Sequence, residues 1–496
     1  MCHSTDPWQR YKALRRGLVV TLPIVCLILA LTLYPFAFTA AWPDRPLMAL
    51  VNGQSHPGDL LQNIALFVPL GVSLCWLWAG SGTGRRGQRI GSIFVAGLIA
   101  LGIELGQLAI PGRTAALFDV LANAAGAGLG CWGLAGPLAS AVDRISGWGL
   151  TVVQHVPARV AALGLTLWLA TAGWLVAHWQ RASLPVNWSE RYTLQIGAAS
   201  DGRRFWPGYV GFVALYDRAF TESDARVAVN PHAVMALQPL FAYDLTQYPL
   251  VISGPLARPL VAQGRPLVTA EGMGVGYQRW LMSREPLAVV SSAIADAGAL
   301  TMVAQVAPRD PERLVEGLMV NYGREIDSHN ISLIQSGPDL LVRMRLPLTR
   351  PADDRPVLRF ANVFADEQPQ VLAFSYDGTT ARLFVDGHRH PQWYAFGPGE
   401  AFINRWLPIQ THQIGGWSIA LAIIFSLPVA LAGASWRGSR WWFMLPVLSA
   451  PFIIGYAPQL VALQPLSETM ALASALTMLV GGIVIYWLTK PYLPGD

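Results

Sequence analysis

The chain has 496 residues, of which 53% are hydrophobic and only 13% charged, against about 25% charged in an ordinary soluble protein. That deficit excludes a disordered chain and speaks against an all-soluble one. The net charge of +5 comes without a basic block or a long amphipathic basic helix, which argues against nucleic acid as a partner.

A helix crossing the hydrocarbon core needs about 20 mostly apolar residues. Eight segments read as such spans: Leu18–Ala40, Leu60–Ala79, Ile90–Ile110, Leu117–Leu138, Val160–His178, Trp417–Ala434, Trp441–Tyr456 and Val461–Leu488. The seventh is short, and the eighth contains Glu468, so its helical core is expected beyond that residue. The first follows Arg10, Lys12, Arg15 and Arg16 and resembles a secretory signal, with the small residues Thr39 and Ala41 near its end. Its uncharged run exceeds the roughly 7–15 residues of a signal core, so it reads as a retained anchor after a cytoplasmic tail, residues 1–17.

Loop charge sets the orientation. With the amino terminus inside, the cytoplasmic stretches hold Arg10, Lys12, Arg15 and Arg16, then Arg85, Arg86 and Arg89, then Arg144 and Arg159, Arg437 and Arg440, and Lys490. The short outer loops hold little more than Arg45 and Arg113. This positive-inside bias puts both termini in the cytoplasm and residues 181–413 outside it. Tryptophans near span ends, including Trp42, Trp179, Trp417 and Trp441, suit the interfacial belt.

Ionisable side chains inside spans are unfavourable by roughly 2.5–3.5 kcal/mol near mid-bilayer on insertion scales, so each needs a reason. Asp59 and Asn63 lie near the outer end of the second span, Glu104 and Gln107 near that of the third, Asp119 and Asn123 near that of the fourth, with Arg113 in the short turn between. Glu104 is six residues before Ile110 and Asn123 six after Leu117, so both are expected about 9 Å below the outer boundary. Gly102 and Gly106 stand four apart, as do Ala122, Gly126 and Gly130, a spacing that lets helix backbones approach closely in lipid.

The same residues carry a resemblance. Asp59-x3-Asn63-x3-Phe67-x-Pro69-x-Gly71, then Glu104-x2-Gln107, Arg113, and Asp119-x3-Asn123-x2-Gly126-x3-Gly130 resemble the VanZ-like membrane domain, over about residues 18–138. The family is named for a protein associated with low-level teicoplanin resistance, so the resemblance implies an envelope role and glycopeptide tolerance, without a mechanism.

Past the fifth span (residues 159–179), the segment of residues 181–413 reads as β-structure with no intervening helical pattern. Val342, Met344, Leu346 and Leu348 alternate with Leu341, Arg343, Arg345 and Pro347, the period of two of a strand. Tyr192–Ile196 and Ile331–Gln335 alternate likewise. Val371–Tyr376 and Arg382–Val385 flank Asp377-Gly378-Thr379-Thr380, a hairpin turn, and Asp386-Gly387 marks the next. Many short strands argue for a two-sheet sandwich. Asn330–Gln335, Asp339–Arg345, Tyr376-Asp377-Gly378 and Leu383–Gly387 resemble a laminin-G or concanavalin-like jelly roll. The resemblance implies glycan or protein binding, at times through calcium, although Asp377 and Asp386 are accounted for by turns and no calcium ligands can be assigned. Glu325, Asp327 and His329 would share one face of a strand, as in some concanavalin-fold glycosidases. Here a second catalytic carboxylate is missing, and a polar loop entering the Ile331 strand accounts for them better.

The fold expected is thus a multi-pass α-helical membrane bundle of about eight spans, residues 417–490 supplying the last three, with an extracytoplasmic all-β sandwich. No cofactor or metal is called for: His155 and His178 have no cysteine or aspartate at ligand spacing, and Cys2, Cys26, Cys75 and Cys131 all lie outside the sandwich. Two functions stand open. In one, a bacterial inner-membrane protein presents a glycan- or protein-binding sandwich. In the other, Glu104 and Asp119 act as acid and base on a lipid-linked saccharide held by Arg113, with Asp59, Asn63, Gln107 and Asn123 lining the site.

Overall fold

A computed structural model describes residues 7–33, 36, 38, 45–53, 57–110, 115–141, 144, 156–247, 250–265, 267–325, 328–349, 356–406, 414, 416–435, 441–456 and 470–479. The chain divides into two compact units. One takes Met1–Leu175 with the carboxy-terminal helices, and the other centres on Val176–Trp417.

The first unit is helical. Its elements are α1 (Pro7–Leu33), α2 (Pro46–Asn52), α3 (Pro57–Gly80), α4 (Arg85–Leu108) and α5 (Leu117–Leu129). After a π-turn at Gly130–Leu134, α5 runs on to Ala141. Then come α6 (Ala158–Gln180) and, beyond the second unit, the apolar helices Gly416–Ser435, Trp441–Tyr456 and Met470–Leu479. Among the described residues, four helices are long and apolar enough to cross a membrane: Leu60–Gly80, Arg85–Leu108, Leu117–Ala141 and Ala158–Ser183. The other four expected spans appear as shorter apolar helices. The first ends at Leu33, where Phe36 takes a left-handed φ of 60°, and most of Val461–Leu488 lies outside the described residues.

Helix packing follows the glycines. A Cβ built on Gly71 would lie 2.0 Å from the Ala127 carbonyl oxygen, one on Gly126 2.3 Å from that of Ile64, and one on Gly130 2.1 Å from that of Val68. Helices α3 and α5 therefore touch backbone to backbone along this stripe. Gly102, expected to do the same, has nothing within 4 Å of such a Cβ and is exposed. A period of four marks a stripe of small residues but not the side of the helix that meets a partner. Cys75 on α3 and Cys131 in the π-turn are joined as a disulfide, with Cα atoms 5.2 Å apart.

The second unit is a sandwich of two antiparallel sheets. The first sheet has the order β13-β12-β11-β10-β1-β8-β5: Leu358–Phe360, Asp339–Met344, Ser328–Ser336, Gly317–Glu325, Thr193–Ile196, Trp280–Ser283 and Leu260–Gln263. The second has β16-β15-β14-β9-β2-β3-β4: His388–Ala395, Thr380–Val385, Gln370–Tyr376, Leu300–Pro308, Gly208–Tyr216, Phe241–Asp244 and Val251–Ser253, with β7 (Gly272–Val275) beside β2 and β6 (Leu267–Thr269) beside β7. One apolar core joins them: Leu194, Val320, Tyr322 and Leu333 from the first sheet meet Val213, Met302, Leu372 and Phe374 from the second.

Helices interrupt this unit, contrary to the strand-only expectation. α7 (Glu222–Ala228) is opened by a capping box of Thr221 and Asp224. Together with Pro231–Val234 it packs on the outer face of the second sheet, against Phe212, Ala214 and Tyr216. Strand β2 is therefore apolar on both faces. The two hairpins at Asp377 and Asp386 stand where the turn residues put them. The alternating run beyond Met344 does not continue the strand: Leu346 and Leu348 are buried in a turn that Thr349 closes, its hydroxyl accepting from the Leu346 N–H at 2.9 Å.

Candidate functional site

Each of the three polar helices contributes for its own reason. Helix α5 starts at Leu117 without a side-chain cap of its own, Ala116 being extended at φ −140°. The first N–H groups of a helix have no partner within it. Glu104 of α4, 3% exposed, supplies one: its Oε2 accepts from the Ala116 N–H at 2.9 Å. This is the bond a capping-box glutamate makes within its own helix, here made by a neighbouring one. The positive end of the α5 dipole faces that carboxylate and favours it. Asp119 sits in the first turn of α5, half-buried, where the same dipole favours its charge.

Gln107, also buried, points elsewhere. Its Nε2 donates to the carbonyl of Thr32 on α1 at 3.0 Å, in step with Thr32, whose hydroxyl donates to the Ile28 carbonyl at 2.7 Å. Asn123 is 3% exposed and lies three residues before Gly126, on the face that meets α3; its Oδ1 has no hydrogen-bond partner among the described residues. Asn63 is half-buried on α3 beside Ile64, the residue Gly126 abuts. Asp59 falls in the first turn of α3, and Arg113 lies outside the described residues.

Glu104 therefore comes to the start of α5, and Asn123 sits on the α3–α5 seam, while Gln107 serves the α1–α4 contact. Thr32 and Ala116 went unnoticed in the sequence because their contribution is a backbone atom, which no side-chain pattern marks.

In the β unit, Glu325, Asp327 and His329 do not share a strand face. Glu325 ends β10, Ser328 opens β11 opposite it with His329 next along that strand, and Asp327 lies outside the described residues. Asp377 accepts from the Thr379 and Thr380 N–H groups at 3.0 and 2.7 Å, and Asp386 from that of Val371 at 2.8 Å, so both carboxylates brace turns. Among the described residues no group of three metal-ligating side chains gathers.

A buried polar row was not foreseen. The Ser332 hydroxyl donates to Asn321 Oδ1 at 2.6 Å, Asn321 Nδ2 to Gln195 Oε1 at 2.8 Å, and Gln195 Nε2 to the Gly323 carbonyl at 2.7 Å. All three side chains are fully buried, and they tie β11, β10 and β1 together as a satisfied network.

A family model described as VanZ/LLP1 matches residues 2–136, which takes in all seven membrane positions. No curated protein and no solved structure matches the chain.

Proposed function

We propose that this is an integral membrane protein of a bacterial cell envelope whose VanZ-like bundle, set in the cytoplasmic membrane, carries a binding sandwich of laminin-G or concanavalin-like type outside the cytoplasm. The ligand class is envelope glycan or protein. The arginines that flank the spans support this orientation, with both termini inside.

The observation that carries the reading is the bond from the Ala116 N–H to Glu104. With Gln107 reaching Thr32, it puts polar side chains of the bundle to work between helices, as a scaffold needs. The test is a glycan array probed with the full-length protein in detergent, paired with reporter fusions in the Arg181–Gln413 segment. Glycan binding together with extracytoplasmic reporters supports the proposal; cytosolic reporters refute it, and an array with no ligand refutes its glycan arm.

A second reading draws on Asn123, a buried acceptor without a partner among the described residues. A lipid-linked saccharide held there and by Arg113 would lie within reach of acid–base work by Glu104 and Asp119. A mass change in extracted envelope lipids that depends on the protein and disappears in Glu104→Gln would establish this reading instead.

A further inference from the structure

The sandwich opens at one edge. There β5, the edge strand of the first sheet, and its neighbour β8 stand across from β7 of the second. A cleft of about 170 Å³, counting the solvent at its mouth, lies between Ala262, Gln263, Arg265, Met273, Val275, Arg279 and Trp280. Most of that volume is open solvent, and the enclosed part holds about one water molecule, so a sugar ring would lie across the rim rather than fill the cleft. Its floor is apolar, Met273 and Val275 belonging to the sandwich core.

The rim is built with care for two cations. Arg279 closes a tight turn in which the N–H of Gly276 donates to the Arg279 carbonyl at 2.8 Å and the Arg279 N–H to that of Gly276 at 3.0 Å. Gln278 within it takes a left-handed φ of 58°, a strained conformation for a residue other than glycine. Gly264 lies against this turn: a Cβ there would stand 2.2 Å from the Gln278 carbonyl oxygen and 3.4 Å from Arg279 Cγ. That contact brings Arg265 and Arg279 to the same cleft, whose lining holds no acidic side chain. Neither arginine has an ion pair or side-chain hydrogen bond among the described residues.

Trp280 completes the set. Its indole rests on Gly202, where a Cβ would come within 2.9 Å of the ring, and its buried N–H has no acceptor among the described residues. Packing rather than hydrogen bonding sets its place. An aromatic ring, an amide at Gln263 and two guanidinium groups match an acidic sugar: ring C–H groups against the indole, hydroxyls on the amide, and the anion on a guanidinium fork.

We propose that this cleft binds a negatively charged sugar residue of an envelope polysaccharide. The inference rests on the reading of the sandwich as a glycan-binding domain and names its site. The test uses the full-length protein in detergent and equilibrium dialysis with three probes: a galacturonic acid trimer, the neutral galactose trimer and inorganic phosphate. The acidic trimer should bind at least about tenfold more tightly than the neutral one. Arg279→Gln should erase that preference, Trp280→Ala should weaken both trimers about tenfold, and Arg389→Gln on β16, at the other edge of the second sheet, should change nothing, the two arginine variants melting as the parent does. Acidic-trimer binding that survives both cleft substitutions overturns the site and leaves the glycan-binding reading standing. Phosphate binding as tight as the acidic trimer overturns the sugar assignment. If none of the three probes binds, the cleft proposal falls, and the glycan array decides whether the wider reading falls with it.

Discussion

The seam between α3 and α5 gives the sharpest test of the bundle. Replacing Gly126 or Gly130 by alanine places a methyl carbon 2.3 or 2.1 Å from a backbone oxygen of α3, a distance that real Cβ atoms do not tolerate. The obstacle is main chain, so no side chain can swing away and the helices must part. Overpacking of this kind destabilises by typically 1–3 kcal/mol, offset by up to about 1 kcal/mol gained when alanine replaces glycine within a helix. Each variant should therefore lose about 1–2 kcal/mol, and the double variant more. Gly102→Ala is the control, because open space surrounds that position; it should be neutral or stabilising by up to about 1 kcal/mol. Melting of the full chain in detergent, followed by size-exclusion profile, reads the three together. Equal melting points for all three, or Gly102→Ala melting first, would show that the seam is not where these glycines place it.

Three predictions concern the sandwich. Asn330 accepts from the Ser189 N–H at 2.7 Å and donates to the Ser189 carbonyl and the Ser291 hydroxyl at 2.9 and 3.1 Å, so Asn330→Ala should destabilise the domain by roughly 2–4 kcal/mol in denaturant melts, at about 1 kcal/mol per bond plus the orphaned donor. Gln278→Gly should stabilise by up to about 1 kcal/mol by relieving its left-handed φ; a lower melting point would refute the strain. His390 is held below its ordinary value of 6.5 by burial, against the opposing pull of its bond to the Ala361 carbonyl and of Asp339. Above that value neither folded nor unfolded chain is protonated there. As pH falls through 6.5 the unfolded chain takes the proton first, so stability drops until the folded histidine titrates too. His390→Gln should flatten that part of the acid-unfolding profile, and an unchanged slope would refute the assignment.

The sequence was legible wherever structure is local. The hairpins at Asp377 and Asp386 carry their own turn chemistry, and Gly126 and Gly130 advertise a seam. Strand β2 was harder to read: Val210–Tyr216 is covered by the core on one face and by α7 on the other, so it shows no alternation, only an apolar run. The run through Leu348 misled for the opposite reason, since buried residues in a turn can keep the period of a strand. Gln195 lies far in the chain from Asn321 and Ser332, and all three look like surface positions, yet cross-strand register makes them one network. For Glu104 the sequence marked a polar residue in an apolar helix, but the partner that explains it is an amide of Ala116, and any residue other than proline would supply one.

The two units rely on different physics. In lipid there is little hydrophobic gain from helix meeting helix, so close backbone approach and polar ties must hold the bundle. Beside one hydroxyl pair, Ser426 with Ser474 at 2.6 Å, four ties share a form: Glu104 accepts from Ala116, Gln107 reaches Thr32, and the Trp76 and Trp168 indoles donate to the carbonyls of Ala135 and Phe425 at 2.9 Å each. Each of the four joins a side chain to a backbone atom of another segment. Such a tie fixes the height of one helix against its neighbour without requiring a matching side chain opposite. The sandwich has water around it and a large apolar core instead, with its polar groups paired among themselves across strands. A charged group kept in the bundle, such as Glu104, is thereby explained as far as its bond to Ala116 reaches. Asn123 is buried with an acceptor oxygen unmatched among the described residues, as are polar atoms of Thr21, Trp78 and Ser92, so the ties above account for only part of the bundle's buried polarity.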